Sequence, residues 1–218
     1  MKLLLDTLDL EQIRKFSKLG ILSGVTTNPT FSKRFGMKDD IDTIEKVSDA
    51  LGGKGEIFVE AFGHESSEIE DNAVKIDEKS GYDDLIFKVP FTEAGVEATY
   101  NLKQSGFKIN LHLIYSVSQA MISEQVNADY ICPLIGRLDD VGNDGIENIR
   151  KIKKSFETNN VSTKIMGSSI RTVSHVISLY KSGIDVATIP PKVLDTMFYH
   201  PMTQDGFETF AEDLKSIE

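Results

Sequence analysis

Eight short runs rich in aliphatic and β-branched residues recur along this 218-residue chain, with stretches of helical spacing between them. The runs are KLLLDT (2–7), GVTTN (24–28), EIFVEAF (56–62), DLIFKVP (84–90), FKINLHLI (107–114), DYICPLI (129–135), TKIMGSS (163–169) and DVATIP (185–190). In between, apolar residues fall three or four apart, as in Ile41/Ile44/Val47, Ile69/Ala73/Ile76 and Ile146/Ile149/Ile152/Phe156. That spacing lines one face of a helix. Strand and helix therefore alternate, and eight βα units with short connections predict an α/β fold, a parallel eight-stranded (β/α)8 TIM barrel. An open doubly wound sheet is the alternative, but no G-x-G-x-x-G follows the first strand. The length suits one barrel, so residues 1–218 are expected to form one domain.

Local signals agree with the alternation. Gly20, Gly81, Gly106 and Gly183, and Asn127 in the same role, each precede a strand where a left-handed residue ends a helix. Ser67-x-x-Glu70 and Ser116-x-x-Gln119 have the form of capping boxes. After the last strand, Phe207, Phe210, Leu214 and Ile217 make an apolar stripe on an extra C-terminal helix over about residues 203–217. A stripe of this kind needs a surface to cover it, on its own barrel or on another subunit.

Composition narrows the chemistry. No run approaches the roughly 18 apolar residues of a membrane span, and MKLLLDTLDLEQ turns acidic too early for a signal peptide, so a cytoplasmic protein is expected. One cysteine, Cys132, allows no internal disulfide and too few thiols for a zinc or iron–sulfur site. A net charge of −10 argues against nucleic-acid binding, so an anionic substrate needs a local basic cluster. Asp140-x-Gly142-x-Asp144-Gly145 lacks the calcium-loop residues at its third and twelfth positions, and Gly52-Gly53-Lys54-Gly55 lacks phosphate-loop spacing; both read as turns. His64, His175 and His200 show no metal-ligand pattern.

In such a barrel the chemistry sits at the C-terminal ends of the strands. Seven of the eight runs end in polar residues: Asp6, Thr26 to Asn28, Glu60, Lys88, Asn110 with His112, Arg137, and Ser168, Ser169 and Arg171. Alternation in the fifth run puts Ile109, Leu111 and Leu113 under the helices and turns Asn110 and His112 into the barrel. In the fourth it turns Leu85, Phe87 and Val89 outward and Lys88 inward. An inward lysine has two accounts, a buried ion pair with Asp6 or Glu60, or a nucleophile. Kept from water and near guanidinium groups, a lysine yields its proton readily, and the neutral amine attacks carbonyls to form imines. Carboxylates beside it would supply acid–base steps. Arg137 and Arg171, with Ser168, Ser169 and a helix N-terminus after strand seven, make the local phosphate site the acidic chain otherwise lacks.

Seven motifs follow in order: LLLDT (3–7), GVTTNPT (24–30), VEA (59–61), FKVPFTEAG (87–95), GRLDD (136–140), GSSIR (167–171) and KVLDTMFYHPMTQDG (192–206). In this the chain resembles the small transaldolases and fructose-6-phosphate aldolases. The resemblance implies a class I enzyme with Lys88 as the Schiff-base lysine, needing no metal or organic cofactor. Asp6 would be the acid–base at the hydroxyl beside the cleaved bond, and Glu60 would work through a water. Asn28 and Asn110 would hold the dihydroxyacetone hydroxyls, and Arg137, Ser169 and Arg171 the phosphate. Sugar phosphates would be the substrates, and the assembly a homo-oligomer built as a pentameric ring or a pair of rings. His112 stands where the family usually has Thr, Cys132 where it has Ser, and Leu134 where transaldolases have Phe and the aldolases Tyr. The aldolase branch also carries Gln at the place of Glu60. The expected reaction is transfer of dihydroxyacetone from sedoheptulose 7-phosphate to glyceraldehyde 3-phosphate. Its rivals are release of free dihydroxyacetone from fructose 6-phosphate and a non-catalytic sugar-phosphate-binding barrel.

Overall fold

Side-chain parity along the strands decides what faces the barrel axis. The computed structural model describes residues 1–217. Eight strands form one closed, all-parallel barrel in chain order, with β8 pairing back to β1. They are β1 (Lys2–Asp6), β2 (Gly24–Thr26), β3 (Glu56–Glu60), β4 (Leu85–Pro90), β5 (Ile109–Ile114), β6 (Tyr130–Pro133), β7 (Lys164–Gly167) and β8 (Val186–Ile189). Around them lie α1 (Leu10–Lys18), α2 (Pro29–Phe35), α3 (Asp40–Leu51), α4 (Ser66–Ser80), α5 (Glu93–Gln104) and α6 (Val117–Gln125). The chain continues through α7 (Ile135–Asp140), α8 (Gly145–Asn159), α9 (Val173–Lys181), α10 (Pro191–Met197) and α11 (Pro201–Ile217). None of the described helices is long and apolar enough to cross a membrane.

Two apolar layers result. Outward strand residues such as Leu5, Val25, Ile57, Val59, Phe87, Val89, Ile109, Leu111 and Ile131 pack under the helices, against Ile44, Val47, Ile69, Ala73, Ile149 and Ile152. Inside the barrel, Leu4, Phe58, Ile86, Tyr130, Cys132, Met166 and Val186 form a separate plug. The plug blocks the lower end, so the inward positions above it form a floor and not a pore.

The five left-handed positions expected before strands all have positive φ, between 55° at Asn127 and 86° at Gly106. Gly95 has a different duty: a Cβ there would lie 2.0 Å from the Pro90 carbonyl oxygen. Its bareness lets the first turn of α5 press onto the end of β4, the strand that carries Lys88.

Two local expectations need correction. The capping box of α4 is Glu65 with Glu68, not Ser67 with Glu70. Glu70 is occupied by Ser66 Oγ (2.7 Å) and Asn101 Nδ2 (2.9 Å), so it does not fold back on the helix end. Ser116 does cap α6, receiving the Gln119 N–H at 3.2 Å. In β5, Leu113 departs from the alternation. Its φ is 60°, and the pairing with β6 shifts between His112 and Ile114. Ile114 thereby takes the fully buried outward place, while Leu113 turns to the cavity above the barrel. A left-handed leucine is uncommon in a strand.

The C-terminal helix α11 has no buried residue. Phe207, Phe210, Leu214 and Ile217 are 65–81% exposed, so the stripe does not dock on its own barrel.

Candidate active site

Above the plug the inward side chains turn polar. β1 contributes Asp6, β2 Thr26, β3 Glu60, β4 Lys88, β5 His112, β6 Cys132 and β8 Thr188, with Ser168 just past β7. Thr188 thus gives the eighth strand a polar end as well, where the sequence pattern marks only seven. These groups, with Asn28, Leu113, Leu134, Arg137 and Ser169, line a cavity of about 400 Å³ with the exposed Phe62 at its edge. Asn110 lies just beneath, fully buried, and neither polar atom of its amide has a partner. An orphaned buried amide is costly, and it fits a site where a ligand completes the bonding.

Register brings the central trio together, because Glu60 and Asn110 both pair with Lys88 across the sheet. Lys88 Nζ donates to Glu60 Oε2 at 3.1 Å and to the Thr27 carbonyl at 2.6 Å. Glu60 Oε1 lies 2.6 Å from His112 Nε2. Burial opposes ionisation of Glu60, but the His112 hydrogen bond and the Lys88 charge hold its carboxyl below the usual range. Burial pushes the His112 imidazole down, aided by Lys88 and Arg137 and opposed by Glu60. A carboxylate only accepts, so Nε2 carries the proton of a neutral ring and Nδ1 is bare. The ion-pair account of Lys88 and the nucleophile account thus share one geometry.

On the other side, Asp6 Oδ1 accepts from Thr26 Oγ1 at 2.8 Å. Burial pushes the Asp6 carboxyl up, against the pull of the Thr26 bond and the Lys88 charge. Cys132, buried between Ser168, Lys88, Asp6 and Asn110, has its thiol pushed up by burial to about 11, so it is a neutral, weakly polar wall. Asn28 spends its side-chain oxygen on the Phe31 N–H (2.9 Å) as the cap of α2, leaving only its NH2 for a ligand.

The basic groups are arranged differently from expectation. Arg137 lines the cavity and reaches Tyr115 Oη at 3.4 Å. Arg171 does not line the cavity; both terminal nitrogens engage the Asp140 carboxylate, with both partners about half exposed. Of the guanidinium groups expected beside Lys88, Arg171 is spent at the rim on Asp140 of α7, while Arg137 keeps a place in the cavity wall. Backbone bonds from Ile135 N to Ser168 O (3.0 Å) and Gly136 N to Ser169 O (3.1 Å) hold the β6 and β7 loops together. A Cβ on Gly136 would lie 2.5 Å from both Arg171 Nε and Ser169 O, so only glycine lets Arg171 cross there. Ser169 itself has φ 56°.

Leu113, Phe31 and Thr188 are cavity residues that the sequence pattern does not single out. Parity on β8 could have found Thr188, but nothing local announces the bulge that turns Leu113 inward. No group of three or more His, Cys, Asp or Glu able to hold a metal ion occurs among the described residues.

Residues 3–218 match the family model for transaldolase/fructose-6-phosphate aldolase. A probable transaldolase of Nitrosopumilus maritimus is 38% identical over 221 residues, covering 100% of this chain and 96% of that protein. Another, from Clostridium tetani, is 37% identical over 220 residues, covering 100% and 99%. Among solved structures, a thiamine phosphate pyrophosphorylase from Pyrococcus furiosus matches with a TM-score of 0.57, covering 87% of this chain and 85% of its own, at 17% identity. That likeness concerns the fold alone.

Proposed function

The chain belongs to the transaldolase/fructose-6-phosphate aldolase family, and on that premise we propose that it is a transaldolase working through an imine on Lys88. It takes a dihydroxyacetone unit from sedoheptulose 7-phosphate to glyceraldehyde 3-phosphate, leaving erythrose 4-phosphate and fructose 6-phosphate. The observation that carries this reading is the buried Lys88 Nζ, 3.1 Å from Glu60 in a cavity that Asp6 also lines.

Glu60 is placed to take a proton from Lys88, and the freed amine adds to the ketone carbonyl. Return of that proton to the carbinolamine hydroxyl expels water and leaves the iminium. Asp6 then takes the proton of the hydroxyl beside the breaking carbon–carbon bond, whose electrons flow to the iminium nitrogen and leave an enamine on Lys88. Once erythrose 4-phosphate has left, the enamine attacks the acceptor aldehyde, which receives the proton back from Asp6. Water then adds to the new iminium, releasing fructose 6-phosphate and returning Lys88 to its amine. Arg137 and Ser169, which line the cavity, hold the phosphate, and Arg171 joins them by exchanging the Asp140 carboxylate for the incoming phosphate. The unpaired Asn110 amide meets the ketol hydroxyls.

Transfer is favoured over release because neither Leu134 nor His112 offers the enamine a free proton. Leu134 has none, and the one proton of neutral His112 is committed to Glu60. Fructose 6-phosphate with borohydride should place a three-carbon adduct on Lys88, read by peptide mass. Free dihydroxyacetone should form far more slowly than sedoheptulose 7-phosphate once erythrose 4-phosphate is added. Release as fast as transfer would make the protein an aldolase.

The same proposal includes a homo-oligomer, with the exposed stripe of α11 covered by a neighbouring subunit. Light scattering on the full chain should give a multiple of 24.2 kDa.

A further inference from the structure

Asp6 differs from Glu60 in how it is held: its hydrogen bond comes from a neutral hydroxyl and not from a charged group. Thr26 Oγ1 lies 2.8 Å from Asp6 Oδ1, and Thr188 Oγ1 lies 2.5 Å from Thr26 Oγ1. Topology explains the contact. β1 pairs with β2 on one side and β8 on the other, so two strands distant in sequence flank the one that carries Asp6. Both threonines are 3% exposed, and both line the cavity.

The protons of this trio have only one arrangement when Asp6 is ionised. The carboxylate accepts only, so the Thr26 proton points to Oδ1. Thr26 then has none to offer Thr188, and the 2.5 Å contact must be donated by Thr188. The chain is ordered from Thr188 to Thr26 to Asp6. Among the described residues no other side-chain donor reaches Asp6, so Oδ2 is the oxygen left for a substrate hydroxyl.

We infer that Thr26 and Thr188 are positioning residues of the ketol transfer, a two-hydroxyl donor chain that aims Asp6 Oδ2 at the substrate and sets its basicity. The inference rests on the reading of Asp6 as the acid–base of the proposed reaction. A donor to the carboxylate favours the charged form, and burial works against it. The other ionisable groups facing Asp6 are Lys88 on β4 and the neutral thiol of Cys132 on β6. Glu60 on β3 and His112 on β5 are bonded to one another, and Glu60 to Lys88. β2 and β8 bring only hydroxyls. Thr26 is therefore the influence on Asp6 that a substitution can remove without changing any charge.

The test uses Thr26→Val, Thr26→Ser and Thr188→Val in the full chain, with kcat and KM for transfer from fructose 6-phosphate to erythrose 4-phosphate measured across pH. Losing the donor raises the proton affinity of Asp6, so fewer molecules hold the base form at acidic pH. In Thr26→Val the acidic limb of kcat should move up by about one pH unit, with KM within about twofold of wild type. Thr26→Ser should return the limb to its wild-type place, and Thr188→Val should move it up by less. An unmoved limb in folded Thr26→Val overturns the inference. Should circular dichroism show that variant unfolded, Thr188→Val decides, and a wild-type limb there overturns it equally. Borohydride trapping on the wild type separates the two layers. A Lys88 adduct with unmoved limbs sinks only the threonine chain, whereas no adduct at all sinks the proposed reaction and this inference with it.

Discussion

At the lower end of the barrel, Tyr130 Oη donates to Glu56 Oε1 at 2.9 Å, Lys2 reaches the same oxygen at 3.2 Å, and Lys164 lies 5.0 Å above the tyrosine ring. At the upper end, Glu60 is held in a similar way by Lys88 and His112. Both carboxylates lie on β3, two turns of the pleat apart. Their neighbours make the difference. The lower cluster abuts the apolar plug, and burial with the nearby Glu56 pushes the Tyr130 phenol well above its usual range, so it stays a donor. The upper group opens on a cavity and leaves both amide atoms of Asn110 unmatched, whereas in the lower cluster Glu56 Oε2 alone lacks a partner among the described residues. Buried polar groups that bond one another stabilise a barrel; those left for a ligand weaken it and are kept for chemistry.

That contrast breaks most readily at Asp6. Its folded pKa is raised above the unfolded value, so its contribution to stability is present at acidic pH and is lost as pH rises through the folded pKa. Above that folded pKa the ionised carboxylate is a burden on the fold. Asp6→Asn should therefore lose about 10²- to 10⁴-fold in kcat while raising the melting temperature, at pH values above the folded pKa, by about 2–4 °C per kcal/mol relieved. The gain should shrink on acidification toward about pH 4, near the unfolded Asp value. Thermal unfolding at several pH values checks it, and a variant that loses activity and melting temperature together would place Asp6 with the structural groups.

The next effect is at the rim. Arg171→Ala should raise KM for sugar phosphates about 10- to 150-fold and leave imine formation with small unphosphorylated ketones near wild type. Equal losses on both substrates would mean that the pair with Asp140 is only structural. The smallest effect belongs to the lower end, where Tyr130→Phe should cost about 1 kcal/mol, or about 2–4 °C, with kcat unchanged. A fall in kcat would show that the two ends are coupled through the plug.

Much of the fold and the centre of the site are legible in the sequence. The eight strands follow from runs of apolar residues, five of them preceded by a left-handed glycine or asparagine that ends a helix. Asp6, Glu60 and Lys88 follow from parity, since an inward position beside outward Phe87 and Val89 leaves Lys88 no other direction. Leu113 breaks the same rule, because a bulge in β5 changes parity without a marker in the residues themselves. The cap of α4 slips because Glu70 finds better partners in Ser66 and Asn101, the latter from a different helix.

Sequence alone thus determined what local geometry controls: the alternation, the helix ends, and which side chains point to the axis. Only the tertiary structure decided which of those side chains meet. Thr26 and Thr188 are 162 positions apart and touch because the barrel closes β8 onto β1. Arg171 turned to Asp140, 31 positions away, because backbone bonds draw the β6 and β7 loops together over Gly136. The reason is physical: φ, ψ and side-chain parity are properties of neighbours along the chain, whereas hydrogen-bond partners at a barrel mouth are set by shear and closure.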